Sequence, residues 1–186
     1  QVSTFHSFCA RVLRRDAAAL GYGTNFTIFD DADSQTLVKN CIRELGYSDA
    51  QFPARGQMRK ISDAKNRLIG PEDFASGSSG YFESRTAEIY KMYQQRLRDC
   101  NAMDFDDLLC NATRMLRDIS EVGDRYRRRF KYLMVDEYQD TNHVQYLLLK
   151  QLMGDHDNIC VVGDEDQTIY VWRGPDIRNI LDLEKD

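Results

Sequence analysis

Residues 131–164 read KYLMVDEYQDTNHVQYLLLKQLMGDHDNICVVGD. The apolar run Leu133-Met134-Val135 stops at Asp136-Glu137, a helical pattern HVQYLLLKQLMG follows, and the apolar run of NICVVGD ends at Gly163-Asp164. Strand, helix, strand predicts two parallel strands joined by a right-handed crossover. In open parallel sheets ligands gather at the carboxyl ends of the strands, where both VDE and VGD stand.

Working outward, the opening VSTF is β-branched and aromatic and predicts a short strand. It feeds a helix over HSFCARVLRRDAAAL, with Phe8, Val12 and Leu13 at helical spacing and Gly21 as the stop. A second helix starts in DDADSQ, with Asp33 or Ser34 as N-cap, Leu37, Val38, Cys41, Ile42 and Leu45 on one face, and Gly46 at its end. A third is expected from Gly56 to Leu68. GPEDFASGSSGYF, residues 70–82, reads as the one flexible loop. Beyond it, SRTAEIYKMYQQRLRDC places Ile89, Tyr93, Leu97 and Cys100 on a stripe, and DFDDLLCNATRML starts a helix with Asp104 or Asp106 near its N-terminus. The middle of the chain is thus expected to be all helix. The predicted fold class is α/β, a parallel layer built from residues 1–24 and 101–186 with a helical insertion over 25–100.

With 186 residues, 42% of them hydrophobic and 30% charged, the chain can bury one sizeable core with room for a second small lobe. Its apolar stretches, such as Tyr146-Leu147-Leu148-Leu149, fall far short of the roughly 20 residues that span a bilayer. The start carries no basic segment followed by an apolar one, so no secretory signal is read there. Nor does it begin with Met, which suggests a piece of something longer. Cys9, Cys41, Cys100, Cys110 and Cys160 are scattered and form no C-x-x-C pair, which argues for reduced thiols in a cytoplasm over a disulfide framework or a zinc site. The formal net charge of −5 does not point to nucleic acid, but basic residues cluster twice: Arg55, Arg59, Lys60, Lys65 and Arg67, then Arg125, Arg127, Arg128, Arg129 and Lys131. Such clusters are more often solvated helix faces than binding patches.

An apolar strand ending in Asp-Glu has the Walker B arrangement. The strand fixes the first carboxylate, which holds Mg²⁺ through its water shell, and the second can accept a proton from water attacking a γ-phosphate. A solvated acidic turn gives the same short pattern. Two features favour the chemical reading: Gln139 and Asp140 extend the motif to D-E-x-Q-D, and the next strand runs into VGDEDQTIYVWRG. There Gln167 can reach the same phosphate and report its presence. Tyr170, Trp172 and Arg173 offer a stacking platform for bases with a cation for phosphate, although period-two aromatics also line strand cores.

VDEYQDTN and VGDEDQTIYVWRG closely resemble the second and third helicase motifs of superfamily 1 DNA helicases of the UvrD/Rep type. STFHSFCARVLR, MDFDDLL (103–109) and DIRNILDLEKD resemble further segments of that family, and RKISDAKNRLIGPEDF does so weakly. The resemblance implies a partial P-loop NTPase (RecA-like) sheet with a helical accessory subdomain, and an ATP- and Mg²⁺-dependent motor that moves 3′ to 5′ on single-stranded DNA and unwinds duplex at a single-strand/duplex junction. It implies that Asp136 binds Mg²⁺, Glu137 is the general base and Gln167 senses the γ-phosphate, with Arg173 coupling that site to DNA. Tyr170 and Trp172 would stack on bases, and Thr4, His6 and Ser7 would lie along the sugar-phosphate backbone. Phe105 is a weaker DNA candidate, because D-F-x-D-L-L equally describes a helix start with a buried Phe. Thr168 stands where Ser is usual and Pro175 where Ala is usual, both mild departures.

These residues contain no G-x-x-x-x-G-K-[ST] loop, so the segment alone is expected to bind ATP poorly and hydrolyse it hardly at all. Three rival readings stand beside the motor: a single-strand DNA-binding module without catalysis, a nuclease in which Asp136, Glu137 and Asp140 hold two metals, and, by resemblance, a helicase that carries a separate nuclease domain downstream.

Overall fold

The computed structural model describes residues 1–154 and 158–164. Helix α1 (Phe5–Asp16) opens the chain and passes through a 3₁₀ turn, Ala17–Leu20, to Gly21 at φ 80°. Strand β1 (Thr27–Ile28) precedes helices α2 (Asp31–Glu44), α3 (Ala54–Asn66), α4 (Pro71–Gly77) and α5 (Tyr81–Asp99). Strand β2 (Ala102–Met103) leads into α6 (Phe105–Asp118) and α7 (Ser120–Arg129). The chain then enters β3 (Leu133–Val135), α8 (His143–Met153) and β4 (Ile159–Val161).

The expected strand–helix–strand unit is present. β3 and β4 pair in parallel with Leu133 opposite Ile159 and Val135 opposite Val161, so both acidic ends leave the same edge. At the opening the structure corrects the sequence reading, because VSTF forms no strand. Val2 is fully exposed, and Thr4 serves as N-cap of α1, its hydroxyl accepting the Ser7 N–H at 3.2 Å. A local hydroxyl-to-backbone bond outweighs the weak β preference of a β-branched pair.

The cap of α2 is also corrected. Asp30, rather than Asp33 or Ser34, is the N-cap, and Asp33 closes the reciprocal capping box from the third helical position. The stretch 70–82 is no loop throughout. Pro71 takes the first helical position of α4 and Tyr81 begins α5, so Gly/Ser composition hid a short helix whose start Pro pre-organises. The helical middle is interrupted by β1 and β2, which pair in parallel with Thr27 opposite Ala102.

Two principal cores form. One joins α1, α6, α7 and α8 through Cys9, Val12, Leu13, Leu109, Met115, Val144 and Leu148. The other joins α2, α3 and α5 through Val38, Ile42, Ile61, Ile89, Tyr93 and Leu97. A small third cluster, Val135, Tyr138 and Leu149, underlies the acidic edge, and Phe5 at the start of α1 packs against it. Among the described residues no helix is long and apolar enough to cross a membrane. All five cysteines are free, with Cys9, Cys41 and Cys110 buried.

Candidate nucleotide and DNA site

The acidic edge is built by division of labour within one motif. Val135 is buried and anchors the strand, whereas Asp136, Glu137 and Asp140 are exposed. Backbone bonds to Val162 bracket the pair, with the Val162 N–H donating to Val135 O at 2.8 Å and the Tyr138 N–H donating to Val162 O at 2.9 Å. Asp136 Oδ1 accepts the Glu137 N–H at 3.0 Å. Glu137 itself sits at φ 52°, a left-handed conformation uncommon for a non-glycine residue and costing about 1 kcal/mol or more.

The rest of the motif holds that conformation. Tyr138 is buried in the small core, the Thr141 hydroxyl donates to Tyr138 O at 2.7 Å, and Asn142 caps α8 in a reciprocal box with Gln145. Asn142 Nδ2 also donates to Asn66 Oδ1 at 2.6 Å, tying the start of α8 to the end of α3. The buried Gln139 side chain donates to Glu137 Oε2 at 2.7 Å and accepts the Asp164 N–H at 3.1 Å, joining the two strand ends. In the sequence Gln139 was only an extension of the motif. The N-x-x-Q spacing of Asn142 and Gln145 was a readable cap signal, whereas the Gln139 bridge depends on a backbone group 25 residues away.

The structure brings part of the predicted DNA-side set together. His6 and Phe105 meet edge to face with ring centroids 5.8 Å apart. Thr4 and Ser7 share the first turn of α1, with the Thr4 hydroxyl donating to Ser7 Oγ at 3.0 Å. Phe105 is 49% exposed, against the alternative reading of a buried Phe at that helix start. Burial lowers the His6 imidazole from its ordinary value, so it is neutral at pH 7. Gln167, Tyr170, Trp172 and Arg173 lie outside the described residues.

Phe105 opens α6 beside a buried ionic cluster. Asp104 and Asp107 form the capping box of α6, and both meet Lys65 from α3, at 2.6 Å and 2.8 Å. Tyr93 donates to Asp104 Oδ2 at 2.7 Å, and Gln94 donates to both Asp107 oxygens. Burial pulls the Lys65 ammonium down, but the Asp104 and Asp107 carboxylates outweigh it and leave it well above its ordinary value. Asp107 is raised by burial and by Asp104, and Asp106 is pushed up to about 6 by the same causes, opposed by its hydrogen bond with Ser62. Lys65 therefore leaves the basic cluster read from the sequence, although Arg55, Arg59, Lys60 and Arg67 are exposed. In the second cluster, Arg125 pairs with Asp16 and Arg127 with Asp124, each at 2.6 Å, and Arg128, Arg129 and Lys131 are exposed.

Among the described residues no three His, Cys, Asp or Glu side chains converge to hold a metal ion. A single hard oxygen donor at a strand end suits Mg²⁺, which keeps several waters and takes its remaining oxygens from phosphates.

The model of the UvrD/REP helicase N-terminal domain matches residues 1–186. The chain belongs to that family. The ATP-dependent DNA helicase PcrA of Bacillus subtilis (strain 168) is 45% identical over 185 residues, covering 100% of this chain and 25% of that protein. Proteins of the same name from Staphylococcus aureus (strain Mu50) and Staphylococcus epidermidis are each 43% identical with the same coverage. The chain thus spans about a quarter of the length of the curated relatives it matches. Within the UvrD/REP family setting, the exposed acidic edge and the His6–Phe105 pair are the two described surfaces that the sequence marked for chemistry.

Proposed function

We propose that this chain is the part of a UvrD/REP-type DNA helicase that supplies the acidic half of the ATP site and part of the single-strand track. The observation that carries this reading is the exposed Asp136–Glu137 pair at the carboxyl end of a parallel strand, held by a buried scaffold. Asp136 would hold Mg²⁺ through water, and the ion would neutralise charge on the phosphates. Glu137 accepts the proton of the attacking water.

On the DNA side, Thr4 and Ser7 offer hydroxyls to backbone phosphates, and the exposed Phe105 ring, braced by His6, offers a face for a base. From the sequence resemblance, Gln167 senses the γ-phosphate, Arg173 couples the two sites, and Tyr170 and Trp172 extend the stacking surface. In this reading residues 1–24 and 101–186 belong to the first RecA-like motor domain, and 25–100 form the accessory subdomain facing duplex at the junction. The phosphate loop and a second motor domain complete the ATP site elsewhere in the full-length protein, which works in the cytoplasm. Without them this segment binds and turns over ATP hardly at all.

The test compares duplexes carrying a 3′ or a 5′ single-stranded tail, incubated with the full-length protein, ATP and Mg²⁺. Separation of the 3′-tailed duplex only is expected. Separation of the 5′-tailed duplex alone contradicts the polarity, and DNA binding without any ATP-driven separation returns the chain to a passive binding module.

A further inference from the structure

We propose that Gln139 is a positioning residue that fixes the Glu137 carboxylate and ties its orientation to the end of β4. The inference rests on the reading of Glu137 as the base given above. Its geometry settles which end of the amide does what. The Asp164 backbone N–H can only donate, so the atom it meets at 3.1 Å is the amide oxygen. The amide nitrogen is then left facing Glu137 Oε2, to which it donates at 2.7 Å. One carboxylate oxygen is thereby engaged and the other is left for the water.

Gln139 has no room to turn away. It is 3% exposed, and a Cβ added at Gly163 would lie 2.6 Å from its Oε1 and 3.3 Å from its backbone nitrogen. The end of β4 is therefore seated directly on the amide. Glu137 needs such a brace, because its φ of 52° is a conformation that a glutamate does not hold unaided. A displacement at Gly163–Asp164 passes through one rigid side chain to the carboxylate. Gln167, proposed to sense phosphate, follows Asp164 by three residues in the sequence.

The experiment uses the full-length protein and steady-state ATP hydrolysis with and without a single-stranded oligonucleotide. Gln139→Met keeps length and removes both bonds; Gln139→Glu keeps the acceptor for Asp164 and sets a carboxylate against Glu137. Both are expected to lower kcat about 10- to 100-fold, with KM for ATP within about twofold of the parent, as misplacement of a reacting group does. In a Glu137→Gln background, Gln139→Met is expected to change the residual rate less than about twofold, because the two residues act as one unit. An unchanged kcat, or losses that multiply in the double variant, overturns the proposal while leaving Glu137 as base. If Glu137→Gln alone leaves hydrolysis intact, the base reading fails, and the positioning role falls with it.

Discussion

Two trios of carboxylates stand in this chain, and their surroundings give them opposite work. Asp136, Glu137 and Asp140 are exposed at the end of β3. Asp104, Asp106 and Asp107 crowd the start of α6, where Asp104 and Asp107 are buried against the fully buried Lys65. A carboxylate out of water must be paired and hydrogen-bonded to stay charged, and one so paired has nothing left to offer a ligand. The buried pair, Asp104 and Asp107, is structural for that reason. The exposed trio keeps its access to water, which the proposed metal binding and proton transfer require.

Removing the buried cation breaks this contrast most severely. Lys65→Met leaves two buried carboxylates uncompensated, so chemical denaturation is expected to show a loss of about 3–5 kcal/mol. Phe105→Ala separates orientation from surface. Half-exposed Phe105 contributes little to the core, so single-strand affinity is expected to fall by about 1–3 kcal/mol, read by fluorescence anisotropy, with thermal stability nearly unchanged.

The smallest effect is a pH dependence. Asp106 is pushed up from 3.8 to about 6, so the folded state binds its proton more tightly than the unfolded chain does. Its contribution to stability is complete below 3.8 and is lost as pH rises through about 6. Asp106→Asn is therefore expected to be more stable than the parent by about 1–2 kcal/mol at pH 7.5, with the difference vanishing near pH 4, in paired melts. An equal difference at both pH values would remove the electrostatic cause.

The same contrast explains how much the sequence disclosed. The β3–α8–β4 unit was legible because an apolar run ending in acids fixes a strand edge, and the α1, α5 and α6 stripes repeat at helical spacing. His6 and Phe105 were both named as DNA candidates, but their contact joins residues 99 positions apart and only the fold makes it. Lys65 looked like one more member of a basic run, since nothing local records that its side chain turns inward to Asp104 and Asp107. Two-residue strands such as β1 carry no periodicity to read. The α2 cap was misplaced by a few residues because DDADS offers several capping side chains in a row.

The central claim is that the exposed pair performs the chemistry and the buried cluster holds the frame. It is tested most directly by measuring DNA-stimulated ATP hydrolysis and thermal stability together for Glu137→Gln in the full-length protein. The account predicts a fall in kcat of about 10²- to 10⁴-fold with the melting temperature within about 2 °C of the parent. Retained hydrolysis, or a loss explained by unfolding, would contradict it.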